Sequence, residues 1–378
     1  MQITHKKKNT NLFFDSFKHF KHNLSNLIGI ELPTLCKLGV TKYLSLIPTN
    51  YKSKFPDMRK IGLIDYKNPS DNQFELTEEG NFFIDALMGQ SYDEYALKSG
   101  RKNIDSIKPQ HIISCFKKDL NTYKYEILKL ILYYYYSADS LRPYLALLNF
   151  IRYYQITILD FDTLKNILSH SKENILLFRY NKNAFGMLDK TTQTELTRPI
   201  SYIYNFLQTA LILDFNRNVI ADFKLVDELK NEMEHIVLKE SSVKDSNSRP
   251  AKEQRIFREN VLRAYGYKCA ITKKSIFLAN RPLLEAAHII PYKDGGSFAV
   301  NNGIALSYEM HKMFDRGLFA FVYDGKSVKI KVSESKNIID KGGILKGLQN
   351  RIINLPTNKK DFPDKFALSY NLQKYLLK

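Results

Sequence analysis

Residues 285–315 read EAAHIIPYKDGGSFAVNNGIALSYEMHKMFD, Glu285 to Asp315, and their patterning decides the fold of the C-terminal third. Just ahead, LLEAAHII (Leu283–Ile290) is a short apolar run rich in branched side chains and closed by Pro291, which predicts a buried strand. KDGGS (Lys293–Ser297) is turn chemistry built around two glycines. A second strand is expected over Gly303–Leu306, and from Tyr308 to Phe314 the pattern turns helical, with Gly317 as a stop signal. The predicted unit is strand, loop, strand, helix.

On that helix His311 and Asp315 lie four residues apart, so both side chains leave one face and can share a cation. His288, near the end of the first strand, can project toward the same point. Imidazole is the side chain suited to take a proton from water at neutral pH, which makes His288 the candidate base. Asn302 closes the loop before the second strand, where its amide either holds the His288 ring or fixes the loop that carries it. Taken singly, each residue has an ordinary explanation: a core histidine, a turn asparagine before glycine, a surface pair on a helix. Their conjunction in one strand, loop, strand, helix order is what points to metal-assisted phosphodiester chemistry.

The segments AAHIIPYKDGG (Ala286–Gly296), NNGIAL (Asn301–Leu306) and HKMFDRGLF (His311–Phe319) resemble the HNH nuclease motif, in the subgroup found in bacterial restriction enzymes. The resemblance covers roughly residues 253–360. FRENVLRAYGYKCAITK (Phe257–Lys273) is similar to that subgroup's leading helix and turn, and residues 347–356 and 362–371 to its tail. It implies a ββα-metal fold with His288 as general base, Asn302 as the middle asparagine and His311 as the final histidine and metal ligand. Asp315 stands where some members place a second ligand. One position departs: many members carry Asp or His immediately before the base, and here that residue is Ala287. Glu285, two residues earlier on an alternating strand, points to the same face with a longer reach and is the candidate replacement ligand. The implied cofactor is a single divalent cation, Mg²⁺ first, with Mn²⁺, Ni²⁺ or Zn²⁺ also suited to imidazole plus carboxylate. The implied products are 5′-phosphate and 3′-hydroxyl ends.

The composition agrees with a polyanionic substrate. The chain has 57 Lys plus Arg against 39 Asp plus Glu, a net charge of +18, which favours a polyanion through counterion release and would also fit a membrane surface; the resemblance implies double-stranded DNA. No run of about 20 apolar residues exists to span a membrane and no signal peptide is read at the N-terminus, so a cytoplasmic bacterial or archaeal protein is expected. Cys36, Cys115 and Cys269 are odd in number and far apart, which argues against a disulfide framework and, with no CxxC pair, against a structural zinc site.

A chain of 378 residues is expected to form two or three domains. The polar, serine-rich stretch Lys239–Lys252, KESSVKDSNSRPAK, reads as a linker ahead of a nuclease domain at 253–378. Upstream, helices broken near Pro33 and Gly39 are followed by Met58–Leu87, which reads as helix, strand, turn, strand, helix and resembles a winged helix with its wing at Asn68–Asn72. Residues 1–95 are therefore expected to form a DNA-recognition module. In residues 96–240, helices over Leu141–Tyr154, from Asp162 as cap, and over Arg198–Thr209 lead into a short hairpin, either a second winged helix or a helical connector. The tyrosine-dense run Leu128–Leu145 has helical spacing at Ile127, Leu130, Ile131 and Tyr134 and reads mainly as core. His5–Lys8 reads as a solvated tail.

The fold class expected is thus α+β, a mainly helical N-terminal half with winged-helix-like modules and a C-terminal ββα-metal domain. The resemblance implies a type II restriction endonuclease, the one-sided cutters among them, with DNA contacts in residues 1–240. A modification-dependent or other antiphage nuclease is the alternative in the same class. A winged-helix regulator with an inactive HNH segment is the alternative outside it. One such centre cuts one strand, so double-strand cleavage implies a homodimer or sequential nicks.

Overall fold

The computed structural model describes residues 11–46, 53–68, 73–87, 107–134, 139–239, 249–278 and 281–376. The early basic run His5–Lys8 and the expected wing tip at 69–72 lie outside them. The fold mixes helices with small antiparallel sheets and divides into two units. The first comprises Met1–Tyr135, Pro143–Ser171 and Tyr180–Leu229, the second Tyr136–Arg142, Lys172–Arg179 and Lys230–Lys378.

In the first unit, Leu27–Glu31 forms a π turn that runs into the helix Leu32–Leu46. The helix continues through Pro33, against the expected break there, since Pro33 is its second residue, in the first turn where proline is tolerated. It breaks at Gly39, whose φ of 70° and ψ of 165° are not helical. The expected helix, strand, strand, helix order then appears as Lys54–Ile61, Ile64–Asn68, Gln73–Leu76 and Glu78–Leu87, the strands pairing from Ile64 opposite Leu76 to Asn68 opposite Gln73. Met58, Ile61, Phe83, Ile84 and Leu87 supply its buried side.

The described part of the tyrosine-rich run is core. Ile127, Leu130, Ile131 and Tyr134 are all buried, and the Tyr144 ring stacks on Phe206 at 5.0 Å between centroids. Helices Pro143–Tyr153, Phe161–Leu168 and Ile200–Thr209 lie near the expected spans. Asp160, not Asp162, caps the middle one, its carboxylate accepting from the Thr163 N–H at 2.7 Å. Asp160 has the extended backbone that a cap requires, whereas Asp162 sits inside the first turn and pairs with Lys165. The hairpin expected after Thr209 is reduced to an isolated bridge between Leu213 and Val219.

In the second unit the helix Arg249–Ala264 precedes the sheet, so Arg249–Lys252, read from sequence as linker, is helical. Its buried residues Phe257, Val261 and Leu262 pack toward a two-stranded sheet in which Leu284–His288 pairs antiparallel with Gly303–Ser307. The register runs from Leu284 opposite Ser307 to His288 opposite Gly303. Helix Tyr308–Asp315 follows at once, then the hairpin Phe319–Tyr323 with Val328–Val332, and the C-terminal helix Lys365–Tyr375. Strand, loop, strand and helix thus stand in the order expected.

Candidate active site

The second strand passes into the helix Tyr308–Asp315 without a spacer, which folds the helix back against the first strand. His311 therefore reaches Glu285. Its Nδ1 hydrogen-bonds the Glu285 carboxylate, and its Nε2 lies 3.4 Å from the Asp315 carboxylate. Burial alone would lower the affinity of this imidazole for a proton. The hydrogen bonds and charges of Asp315 and Glu285 more than reverse that, and its pKa rises to about 9. Glu285 and Asp315 remain 38% and 49% exposed, so the group is reachable from solvent.

These three side chains, two hard carboxylates and an imidazole, are of a chemistry that could hold a divalent cation such as Mg²⁺ or Mn²⁺. Their atoms pair with one another, His311 bridging the two acids. Among the described residues no three His, Cys, Asp or Glu surround a common point. Ala287, where a ligand was missed from the sequence, is fully buried and contributes only to the core.

His288 ends the first strand, its ring stacked on Phe257 at 4.1 Å between centroids and edged by Phe298 at 5.7 Å. The residue as a whole is half-buried, yet Nε2 is sealed from solvent and has no hydrogen-bond partner among the described residues. Burial, then the charges of Arg142 and His311, push its pKa down to about 3, with Asp315 opposing. The ring is neutral at ordinary pH, with its proton-accepting nitrogen aimed at no protein atom. Gly303 permits this seat: a Cβ there would lie 2.8 Å from the Phe257 ring and 2.5 Å from Val261.

Asn302 is fully buried and does not hold the His288 ring. Its Oδ1 accepts from the Ile290 N–H at 2.9 Å, while Nδ2 donates to the Ile290 and Ser297 carbonyls at 3.1 and 3.0 Å. The amide thereby clamps the loop that leaves His288. Of the two placements open to it in the sequence, the structure has the loop clamp.

Two contributors were missed by sequence reasoning. Phe257 lay in a segment recognisable only as a leading helix, with nothing to mark it as the histidine's stacking partner. Arg142 lies 146 residues before His288, yet it is fully buried and donates from Nε to the Gly296 carbonyl at 2.6 Å and from Nη2 to the Tyr292 carbonyl. The one available signal was an arginine inside an apolar stretch, held out of the helix by Pro143.

Against known proteins, residues 269–322 match the HNH_2 family, described as HNH endonuclease. No curated protein matches the chain. Among solved structures, a modification-dependent TagI restriction endonuclease is similar at 20% identity and a TM-score of 0.24, over 31% of this chain and 36% of that one. The chain thus spans about a third of that protein's length. Residues 269–322 thus carry an HNH endonuclease domain.

Proposed function

We propose that this protein hydrolyses phosphodiester bonds of double-stranded DNA as a type II restriction endonuclease, leaving 5′-phosphate and 3′-hydroxyl ends. The observation that carries the reading is the His288 Nε2, buried and without a hydrogen-bond partner among the described residues, on the strand that also presents Glu285 to His311. A buried polar atom without a partner calls for an explanation, and a reacting water supplies one.

In this reading His288 takes the proton from the attacking water at Nε2. Phe257 fixes the plane of its ring, and Asn302 keeps the strand's exit in place. Glu285, His311 and Asp315 would hold the cation, with Mg²⁺ or Mn²⁺ favoured by the two carboxylates. When bound, such an ion polarises the scissile phosphate and neutralises charge on the leaving oxygen.

Residues 1–95 and 96–240 supply recognition, and 253–378 the nuclease domain. The helix–hairpin–helix at 54–87 supports winged-helix contact with DNA, and the net charge of +18 supports a polyanion as partner. Cleavage of both strands calls for a homodimer or two successive nicks. The protein belongs in a bacterial or archaeal cytoplasm. Among the described residues no helix is long and apolar enough to cross a membrane.

The test is purified protein with plasmid and Mg²⁺ or Mn²⁺, beside His288→Ala. Discrete fragments from wild type alone support restriction. Cleavage confined to DNA with modified bases replaces it with the modification-dependent reading. Intact plasmid under every condition leaves a DNA-binding regulator with an inert nuclease fold.

A further inference from the structure

The loop between His288 and Asn302 is held from outside by a short strap, Asp139–Arg142, within the same unit. Leu141 bridges to Gly296, and the Arg142 N–H donates to the Gly295 carbonyl at 2.6 Å. The Ser297 N–H donates to the Ser140 carbonyl at 3.0 Å, and Ser297 Oγ to the Asp139 carbonyl at 2.5 Å. Arg142 then turns its side chain inward, bonds the carbonyls of Gly296 and Tyr292, and lies over the Tyr292 ring. The strap is itself tied down. Lys172 donates to Asp139 at 2.8 Å and Ser140 to Asp364 at 2.8 Å.

A fully buried arginine is expensive to desolvate, and a glutamine or methionine fills similar volume at less cost. What the guanidinium adds is geometry: a rigid fork that reaches two carbonyls of one turn at once, while its own backbone N–H takes the carbonyl between them. Gly296 is part of the fit, since a Cβ there would lie 1.8 Å from the Ile290 carbonyl oxygen. The turn's backbone is held from the strap side and by Asn302 from within, while Lys374 and Tyr375 hold the Asp294 side chain at its tip.

We propose that Arg142 is a positioning residue for phosphodiester cleavage: with Asn302 it locks the 290–297 turn from both sides, so that His288 leaves its strand at the angle the reaction needs. This rests on the nuclease reading above. Arg142 touches neither His288's reactive nitrogen nor the carboxylates, so its effect belongs to kcat rather than to DNA affinity.

The experiment compares wild type, Arg142→Met, Arg142→Lys and the milder Ser297→Ala by cleavage kinetics, DNA affinity and amide hydrogen exchange of the 289–303 segment. Arg142→Met is expected to lower kcat on the order of a hundredfold with KM and Kd unchanged, as for small misplacements of a catalytic group. Exchange in 289–303 should quicken while the hairpin Phe319–Val332 keeps its protection. Arg142→Lys should recover part of kcat, and Ser297→Ala should shift both readouts in the same direction if Arg142→Met does not fold. Unchanged exchange in the segment, or a loss confined to KM, overturns the proposal. A wild type that cuts no DNA sinks the nuclease reading and with it the clamp's catalytic purpose, while the exchange data separately decide whether the clamp exists.

Discussion

The Glu285 carboxylate takes a hydrogen bond from His311 Nδ1 while Asp315 faces the other nitrogen of the same ring. One acid comes from a strand and the other from a helix, so the imidazole fastens two elements of the ββα unit together. Held between two acids, it keeps its proton to about pH 9.

This fixes the pH behaviour of the metal-free protein. The pKa is raised from 6.5 in the unfolded chain to about 9 in the folded one, so the stabilisation is complete below pH 6.5 and lost as pH climbs through 9. A ligand nitrogen must shed that proton, so Mn²⁺ affinity measured by calorimetry should rise with pH across this window, with proton release. His311→Ala should abolish binding. Affinity that is flat with pH, or unchanged in the variant, removes His311 from the ligand set.

His288→Ala should reduce cleavage by roughly 100- to 10,000-fold, the usual span for a positioned base, with DNA binding intact. Gel-shift and cleavage assays on one preparation check both halves. A mutant that still cuts at the wild-type rate refutes the assignment.

Asn302→Ala orphans the Ile290 N–H and the carbonyls of Ile290 and Ser297. At roughly 1–3 kcal/mol per buried group left unpaired, a loss on the order of 3 kcal/mol is expected in chemical denaturation. Asn302→Asp keeps the acceptor but sets a buried carboxylate against the Ile290 and Ser297 carbonyls, so it should be no more stable than the alanine variant. Equal stability of all three proteins would contradict the loop clamp.

Gly303→Ala pushes a methyl group into Phe257 and Val261. Overpacking of this kind costs about 1–3 kcal/mol, and here it also displaces the ring on which His288 rests. The expected signature is a fall in kcat larger than the shift in denaturation midpoint accounts for. The packing control is Ile304→Val, at the next residue of the same strand, which trims a fully buried side chain opposite Ala287 instead of enlarging one. Its kcat should follow its stability, and a Gly303→Ala protein that behaves the same way would remove the ring's seat from the mechanism.

The ββα unit was legible because its signals are local. An apolar run, a glycine turn and a helical repeat follow one another within the stretch 285–315, and His311 and Asp315 meet through helix spacing alone. Glu285 could be placed on the right face by strand alternation, since its partner follows within one supersecondary unit. Arg142 was invisible because its contacts with Tyr292 and Gly296 span 150 and 154 residues. The choice of Asp160 over Asp162 as cap turned on backbone angles that either aspartate could have adopted.

The composition of the second unit has a practical consequence for anyone wishing to transplant it. Because Tyr136–Arg142 and Lys172–Arg179 are woven into it from the first half of the chain, no single cut liberates an intact catalytic body. A fragment beginning near residue 253 lacks both Arg142 and Lys172. Exchanging the first unit for another would therefore mean replacing the inserts 143–171 and 180–229 between retained threads, as in rewiring a circuit board while leaving its soldered leads in place.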